Sequence, residues 1–284
     1  PADVPPTHER TAKPGDGKWQ PMDDGILSGG GSAMYRTTLH PHPIKKWVFV
    51  TAIAFDRRYT DLTLLAGTDE PVSESVPKER RPGLIPPAHH GALLSVFNGG
   101  FKVRHGDYGM MAAGDVYAPP IDDACTVALD RDGGLHLAPW PQLRDKASRF
   151  LWYRQTPPCL VMDGKPNPRV KSEHRTRLWG AAVGGVYDIR RSAIALDPSG
   201  RSLLYVFGDW VTAGDLAAAL AAMGVKRAAQ LDINWSYTRF FLFEQRSGDK
   251  PRIKRTLIPK LKFSRNRYVE KPSYRDFFYV TARP

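Results

Sequence analysis

Polar side chains stand at the ends of three apolar stretches of this chain, where strands are expected to stop. Asn98 ends one such stretch and precedes Gly99 and Gly100. A glycine pair lets the backbone turn and lets another group approach closely, although a plain tight turn is the simpler interpretation. Asp209 and Asp232 end the other two stretches. An amide or carboxylate in this position is well placed to contact a ligand.

The two aspartates belong to a compact strand, helix, strand pattern over residues 202–232. If the two strands are neighbours joined by the helix, both carboxylates leave the sheet at one rim. Paired carboxylates in such a place act as acid and base on a glycosidic or related bond. The alternative is that each aspartate caps a turn or helix. Asp232 lies between Leu231 and Ile233 in an apolar stretch. Burying a carboxylate costs free energy unless it is paired or hydrogen-bonded, so its presence there needs an explanation.

Two arginines, Arg190 and Arg191, directly precede the strand predicted at 192–197. A guanidinium fork matches phosphate oxygens with two hydrogen bonds, so one of the pair is a candidate to hold an anionic substrate. Two exposed arginines in salt bridges are equally compatible with the sequence.

Other candidate substrate-binding residues lie beside these strand ends. His105 adds a group that titrates near neutral pH, and the tryptophans offer flat apolar surfaces for sugar rings, with core packing as their alternative role. The set is Gly99, Gly100, Lys102, Arg104, His105, Trp210, Asn234 and Trp235.

Three segments together, in their order and spacing, resemble the phosphodiester glycosidase family. They are Phe97–Phe101, Arg191–Leu196, and the stretch from Gly208 to Asp232, which are similar to that family's N-G-G-F, R-T-A-I-G and D-G…LDGGGS blocks. The resemblance spans roughly residues 45–240. It implies a hydrolase that cleaves a sugar from a phosphodiester or similar glycan linkage outside the cytosol. Carried over by position, it implies a site lined by Asn98, Arg191, Asp209 and Asp232.

The chain departs from that pattern after Asp232. The family has Gly-Gly-Gly-Ser where this chain has Ile233, Asn234, Trp235 and Ser236. Bulky residues remove the close backbone approach that glycine permits. We therefore expect a reshaped pocket, better suited to a sugar ring than to a bare phosphate, and a true glycosidic linkage is a further candidate for the cleaved bond.

Strand patterns dominate the rest of the sequence. Alternating or β-branched runs bounded by turn residues predict strands at 47–55, 60–66, 92–98, 124–130, 135–138, 159–163, 180–187, 192–197 and 202–207. One helix is predicted from a cap at Thr212 to a stop at Gly224. The expected fold class is α+β, with a mixed β-sheet and few helices in one domain over 33–284. Residues 1–32 are expected to form an extended N-terminal arm.

The formal charge of +12 is concentrated near the carboxyl end. Residues 246–275 hold eleven Lys or Arg and two acidic residues. Such a field attracts polyanions, although a basic face that only aids solubility fits as well. A non-catalytic module that binds an anionic glycan or cell-wall polymer is therefore the second functional hypothesis. Nucleic-acid binding ranks last because no motif of the usual nucleic-acid folds is present.

The two cysteines, Cys125 and Cys159, lack the C-x-x-C spacing of a zinc site. Two buried free thiols are the first expectation, and one disulfide in an export compartment is the alternative. Scattered histidines predict no metal site, and no cofactor is expected. No run approaches the roughly 18 apolar residues of a membrane span. The chain opens without Met, which suggests a processed form, and a secreted or periplasmic location is expected.

Overall fold

The computed structural model describes residues 1–27, 30–172, 174, 177–181, 184–246 and 249–283. The chain forms two compact units, each made from two stretches of sequence. The first contains Pro1–Arg58 and Pro157–Thr238, and the second contains Tyr59–Thr156 and Arg239–Pro284.

Both units consist mainly of β-strands. The strands are β1 (Gln20–Pro21), β2 (Met34–Leu39), β3 (Phe49–Asp56), β4 (Thr60–Leu65), β5 (Leu93–Asn98), β6 (Met110–Ala112), β7 (Asp115–Ala118), β8 (Cys125–Asp130), β9 (Leu135–Pro139), β10 (Phe150–Thr156), β11 (Val161–Met162), β12 (Lys165–Pro166), β13 (Ile189–Leu196), β14 (Ser202–Val211), β15 (Ala228–Gln230), β16 (Phe240–Arg246), β17 (Asp249–Thr256) and β18 (Phe277–Ala282). Helix α1 is Ala213–Ala222, and short 3₁₀ helices occur in several loops.

The first unit is built on an eight-stranded sheet in the order β1-β2-β3-β14-β13-β15-β11-β12. The central strands are long and almost wholly buried because apolar residues occupy both faces of the sheet. Small residues such as Ala193 and Ala195 pack with the apolar side of α1 in one core cluster. This close packing fixes the end of β14, which precedes the helix, and the start of β15, which follows it.

Helix α1 begins and ends as its sequence predicts. The Thr212 hydroxyl accepts a hydrogen bond from the Asp215 N–H, and the Asp215 carboxylate accepts one from the Thr212 N–H in return. This reciprocal pair satisfies two backbone donors that the first turn leaves open. Gly224 follows at φ +73°, a conformation that glycine adopts without steric cost.

The first residues of the chain, predicted to be an extended arm, are held against the first unit. Val4 is buried and its N–H donates to the Gly17 carbonyl, while the Gly17 N–H donates to Thr38 in β2. Asp16 contacts the buried His40 ring at 2.9 Å from both carboxylate oxygens. Backbone and side-chain contacts therefore give this segment a defined position.

The second unit contains two five-stranded sheets, β7-β6-β10-β8-β9 and β17-β16-β5-β18-β4. Aromatic and aliphatic side chains of the latter sheet form a core that includes Phe241, Tyr268 and Phe277. A second cluster around Trp140, Phe150 and Tyr153 lies in the former sheet.

The strand predictions are confirmed where a run has clear turn residues at both ends, but the fold-class prediction needs correction. Every pairing between named strands is antiparallel, so the sheets are not mixed, and the fold is mainly β rather than α+β. The strand predicted at 180–187 is wrong over residues 180, 181 and 184–187, which are not in a strand. Residues 182 and 183 lie outside the described part of the chain. Neither Cys125 nor Cys159 is a free thiol, so the first expectation for the cysteines is wrong and the disulfide alternative holds.

A fully buried ion pair lies inside the second unit. Arg154 Nε donates to Asp276 Oδ2 at 2.8 Å, and neither side chain is exposed to solvent. The remaining guanidinium nitrogens donate to the carbonyl oxygens of Tyr108, Gln155 and Phe101. Because both charges are desolvated, each depends on the other.

We expect Asp276→Asn to lower the free energy of unfolding by about 3–5 kcal/mol, because it leaves a buried guanidinium without its counter-charge. Chemical denaturation followed by circular dichroism measures this change. The matched control is Asp61→Asn, which breaks the exposed Arg283–Asp61 pair and is expected to cost less than about 1 kcal/mol. Equal losses in the two variants would contradict the assignment.

Candidate functional site

Strand β13 lies between β14 and β15 and is antiparallel to both. The prediction that β14 and β15 are neighbours is therefore wrong. Two strands that are both antiparallel to a third run in the same direction, so β14 and β15 still end at the same edge of the sheet. That edge also receives the start of β13. It carries Asp209, Arg190 and Asp232, and we call it the acidic rim.

Asp209 forms an ion pair with Arg190 at the acidic rim. Arg190 Nε donates to Asp209 Oδ1, and Nη2 donates to Oδ2 at 2.9 Å. Both side chains are nearly buried, at 3% and 9% exposed for arginine and aspartate respectively. A two-pronged contact of this kind fixes the orientation of the carboxylate as well as its position.

Trp210 occupies a bulge in β14 next to this pair. Ile189 is opposite Val211 and Arg191 is opposite Gly208, so β14 has one more residue than β13 over this interval. Trp210 has φ +58°, a left-handed conformation that is costly for a residue with a side chain. Its indole is 52% exposed. The bulge thus turns a large aromatic side chain out of the sheet.

Asp232 and Asn234 lie on the chain that continues β15 alongside β13. The Leu231 N–H donates to the Ser192 carbonyl and the Asn234 N–H donates to the Arg190 carbonyl, both at 2.8 Å. Asp232 is 7% exposed, and its Oδ1 accepts the Ile233 N–H at 2.9 Å. Asn234 has φ +78°, a backbone conformation that glycine adopts without steric cost.

The indole of Trp235 joins these groups. The Arg190 guanidinium lies 4.6 Å from the centre of the Trp235 ring, and the Trp210 and Trp235 rings meet edge to face at 5.0 Å. Trp235 is 39% exposed. The rim therefore brings together a cation, the Asp209 carboxylate and two partly exposed aromatic rings, with the chain bearing Asp232 alongside.

Arg191 has a different environment from the one expected of a substrate-binding residue. Its side chain is fully buried, and all three guanidinium nitrogens donate to protein oxygens. The acceptors are the carbonyls of Val211, Trp179, Gly180 and Tyr187 and the Gln230 side chain. Adjacent strand residues point to opposite faces, so Arg190 reaches the rim and Arg191 ties the sheet to Trp179, Gly180 and Tyr187.

Asn98 belongs to the second unit, where it ends β5. Its Oδ1 accepts the Arg239 N–H at 3.0 Å, its Nδ2 donates to the Gly99 carbonyl at 3.1 Å, and it is 6% exposed. The convergence of Asn98 with Asp209, Arg191 and Asp232 stays a prediction.

Gly99 and Gly100 make room for the buried ion pair of the second unit. The Gly100 N–H donates to Asp276 Oδ2 at 2.8 Å, and the Gly99 N–H donates to the Asp276 carbonyl at 3.0 Å. A Cβ on Gly99 would lie 2.0 Å from Asp276 Oδ2, and one on Gly100 would lie 2.7 Å from Arg154 Cζ. The close approach that the glycines permit is thus filled by the protein itself.

Lys102, Arg104 and His105 follow this turn on a 3₁₀ segment, Val103–His105. Arg104 and His105 are exposed and Lys102 is partly exposed, so the predicted positive charge is on the surface. Partial desolvation of the His105 imidazole lowers its pKa, and the charges of Arg104 and Lys102 lower that pKa further. His105 is therefore mostly uncharged at neutral pH.

A cavity of about 440 Å³ lies in the first unit at the end of the sheet opposite the acidic rim, beside Asp56, Asp197, Trp19 and Gly224. Its size suits a small ligand. Its charged groups are largely paired with neighbours, however: Arg58 with Asp56 at 2.6 Å and Lys18 with Asp3 at 2.7 Å. The reactive groups predicted from the sequence are absent from its lining, so the rim is the stronger candidate.

Over the part of the chain that the structure describes, no group of three or more His, Cys, Asp and Glu residues is arranged to hold a metal ion. The described helices include none that is long and apolar enough to span a membrane.

Sequence reasoning missed the roles of Arg154 and Asp276, and it did not tell Arg190 apart from Arg191. The first two lie in strands or turns without a distinguishing motif, and only their contacts reveal the pair. The sequence did contain a signal for Arg190, because it places Arg190 and Arg191 just before one predicted strand and Asp209 just after the next. The alternation along the strand would have separated the two arginines, but the bulge in β14 was not visible in the sequence.

Comparison with known proteins gives a relationship at the level of fold. The catalytic domain of zebrafish N-acetylglucosamine-1-phosphodiester alpha-N-acetylglucosaminidase, in a form auto-inhibited by its pro-peptide, aligns with a TM-score of 0.52 and 14% identity over 94% of this chain and 88% of that domain. A hypothetical protein from Synechocystis aligns with a TM-score of 0.48 and 13% identity over 93% of this chain and 62% of that one. No protein-family model and no curated protein matches the sequence. The chain thus has a fold distantly similar to that of a phosphodiester glycosidase.

We expect Gly99→Ala to destabilise the second unit by several kcal/mol, on the order of other overpacked or strained core substitutions. The added methyl group would collide with the Asp276 carboxylate and separate it from Arg154. Thermal unfolding measures the loss. Gly91→Ala is the control, because a Cβ there meets nothing within 4 Å. A Gly99→Ala protein as stable as the Gly91→Ala protein would refute this role for the turn.

The titration of His105 is a second test of the same loop. We expect its imidazole NMR signals to titrate with a midpoint below 6.5, the ordinary value. Because folding disfavours the charged ring, stability from this group is complete above pH 6.5 and falls as the pH drops through the lowered pKa. Glu70 opposes the shift, so Glu70→Gln should lower the midpoint further. A midpoint above 6.5 would contradict the positive surroundings described for this residue.

Proposed function

We propose that this protein is a hydrolase of glycosidic or glycosyl-phosphodiester bonds and that the acidic rim is its active site. The observation that carries the proposal is the meeting of Asp209, Arg190 and the chain bearing Asp232 at one sheet edge beside Trp210 and Trp235. Carboxylates supply acid and base chemistry for such bonds, and aromatic faces suit the apolar face of a sugar ring.

The rim residues differ in their surroundings, which suits them to different roles. Asp209 is held by Arg190 through two hydrogen bonds, so it serves best as a fixed negative group that positions the arginine and the substrate. Asp232 is 7% exposed and its Oδ1 accepts the Ile233 N–H, and we assign it the proton transfer or the attack on the sugar. Pairs of carboxylates with unlike environments commonly divide roles in this way.

Arg190 takes the part that the sequence had assigned to Arg191. Its guanidinium lies at the rim, between the Asp209 carboxylate and the Trp235 ring. A cation there stabilises phosphate oxygens or the negative charge that develops on a leaving group. Arg191 contributes indirectly, because its buried hydrogen bonds hold the start of β13 in place.

The fold similarity supports a hydrolase of this general kind. The zebrafish domain is named for its action on an N-acetylglucosamine-1-phosphodiester, which makes such diesters the first substrates to try. The side chains Ile233 and Trp235, which replace glycines in the family pattern, favour neutral glycosides as the second group of substrates.

A secreted or envelope location is part of the proposal. Both cysteines are disulfide-bonded, and disulfides persist in oxidising compartments such as the periplasm or the cell exterior. The glycans that such an enzyme would cleave are found in the same places.

We expect Asp232→Asn to reduce kcat/KM by at least about 100-fold, since general acid–base groups contribute 10²–10⁴-fold. The assay uses a panel of aryl glycosides and N-acetylglucosamine-1-phosphodiesters with detection of the released alcohol. Asp163→Asn is the control, because Asp163 is an exposed carboxylate of the same unit, with 85% of its side chain accessible. Unchanged turnover by Asp232→Asn would remove that residue from the mechanism.

The two arginines provide a paired comparison. Arg190→Lys keeps the charge and loses the fork, so it should reduce turnover strongly and lower the melting temperature less than Arg191→Lys does. Arg191→Lys should lower the melting temperature clearly, because five buried hydrogen bonds depend on its guanidinium. The opposite pattern would return Arg191 to the active site.

A non-catalytic glycan-binding module is the second candidate. The exposure of Trp210 and Trp235 favours it, since a pair of accessible rings suffices to bind a sugar without cleaving it. In that case Trp235→Ala would abolish binding, Asp232→Asn would leave it intact, and no substrate of the panel would yield product.

A further inference from the structure

Strand β17 is an edge strand whose outward face is basic. It pairs with β16 and ends the order β17-β16-β5-β18-β4. Along it, Lys250, Arg252 and Lys254 are exposed, whereas Pro251 and Ile253 between them are buried. The pairing with β16 shifts register between Leu242 and Phe243 and again between Glu244 and Arg246. The strand therefore presents three exposed cations along one edge, without an ideal strand spacing between them.

The chain after β17 folds back and adds to this row. The Ile253 N–H donates to the Arg265 carbonyl at 2.9 Å, which places the exposed Arg265 beside the strand. We call Lys250, Arg252, Lys254 and Arg265 the basic edge. Glu270 lies 3.7 Å from Lys250, and Glu244 is opposite Arg252 in the ladder. Residues 246–275 contain eleven Lys or Arg and two acidic residues, so this segment carries an excess of positive charge.

Two aromatic residues that follow β17, Phe263 and Tyr268, pack into the core of the second unit. The Phe263 and Tyr268 rings pack on Phe241 at 5.2 and 5.8 Å between centroids, and Tyr268 also packs on Phe277 at 4.7 Å. Single-stranded nucleic acids are usually held by aromatic platforms on which the bases stack. With these two rings in the core, the exposed groups that the basic edge offers to a ligand are its four cations.

We propose that the basic edge is a docking surface for a linear anionic polysaccharide. An extended polymer carrying sulfate, phosphate or carboxylate groups can contact several exposed cations along one strand edge, and electrostatic attraction concentrates it there. The proposal rests on residues of the second unit alone and does not depend on the assignment of the acidic rim as an active site.

The test compares two triple variants with the same change in net charge. K250Q/R252Q/K254Q neutralises the basic edge, and K13Q/K78Q/K226Q neutralises three exposed lysines elsewhere. Binding of fluorescein-labelled dextran sulfate is followed by anisotropy across a salt series. We expect the edge variant to lose about tenfold or more in affinity at 100 mM salt, with a shallower salt dependence because fewer ions are displaced. The control variant should lose less than about threefold, since its charges lie outside the binding surface.

Three results would overturn the proposal. Equal losses in the two variants would show that net charge alone attracts the polymer. Unchanged binding by the edge variant would leave β17 as a strand that lysines merely protect from pairing with other edges. Tighter binding of a thymidine homopolymer through the same residues would identify the partner as nucleic acid. If the triple variant unfolds, R265Q replaces it, because the Arg265 contact with Ile253 is made by the backbone.

Discussion

The antiparallel pairing of β13 with both β14 and β15 is the constraint on which the acidic rim depends. It makes the outer two strands run in one direction, so that the residues following each of them meet at the start of β13. Helix α1 makes this connection possible, since it carries the chain from β14 over the sheet to β15 while burying its small apolar side against the strands. Arg191, buried at the same end of β13, satisfies the carbonyl oxygens of the adjoining loop and keeps that end closed.

The backbone at the rim is less relaxed than that of the surrounding sheet. Trp210 and Asn234 both have positive φ in places where glycine would be easier, and both flank the Asp209–Arg190 pair. Backbone strain of this kind costs free energy and persists where neighbouring contacts enforce it. At the rim, its consequence is that two indoles and one guanidinium are held together at the surface. Glycine is required at Gly99 and Gly100 for a different reason, because a side chain there would collide with the buried Asp276–Arg154 ion pair. The N-G-G motif therefore serves this ion pair.

The sequence predicted the elements whose ends carry strong local signals. The α1 capping box, the glycine that follows it and the long apolar strands β3, β13 and β14 were all found from local patterns. Strand β17 was missed because its charged residues mask the alternation, and β16 was missed although it begins with four apolar residues. The order of the strands depended on long-range pairing that no local pattern encodes, so β13 was not placed between β14 and β15. For the same reason the two arginines could not be told apart, since the bulge at Trp210 decides which of them faces Asp209.

The most direct measurement of the central claim uses the indole N–H resonances of the seven tryptophans during titration with a methyl N-acetylglucosamine-1-phosphodiester. If the acidic rim binds the substrate, the signals of Trp210 and Trp235 shift in a saturable manner while that of Trp19, which borders the cavity at the opposite end of the sheet, stays in place. A saturable shift of Trp19 alone, with Trp210 and Trp235 unmoved, would place the ligand in the cavity and contradict the account.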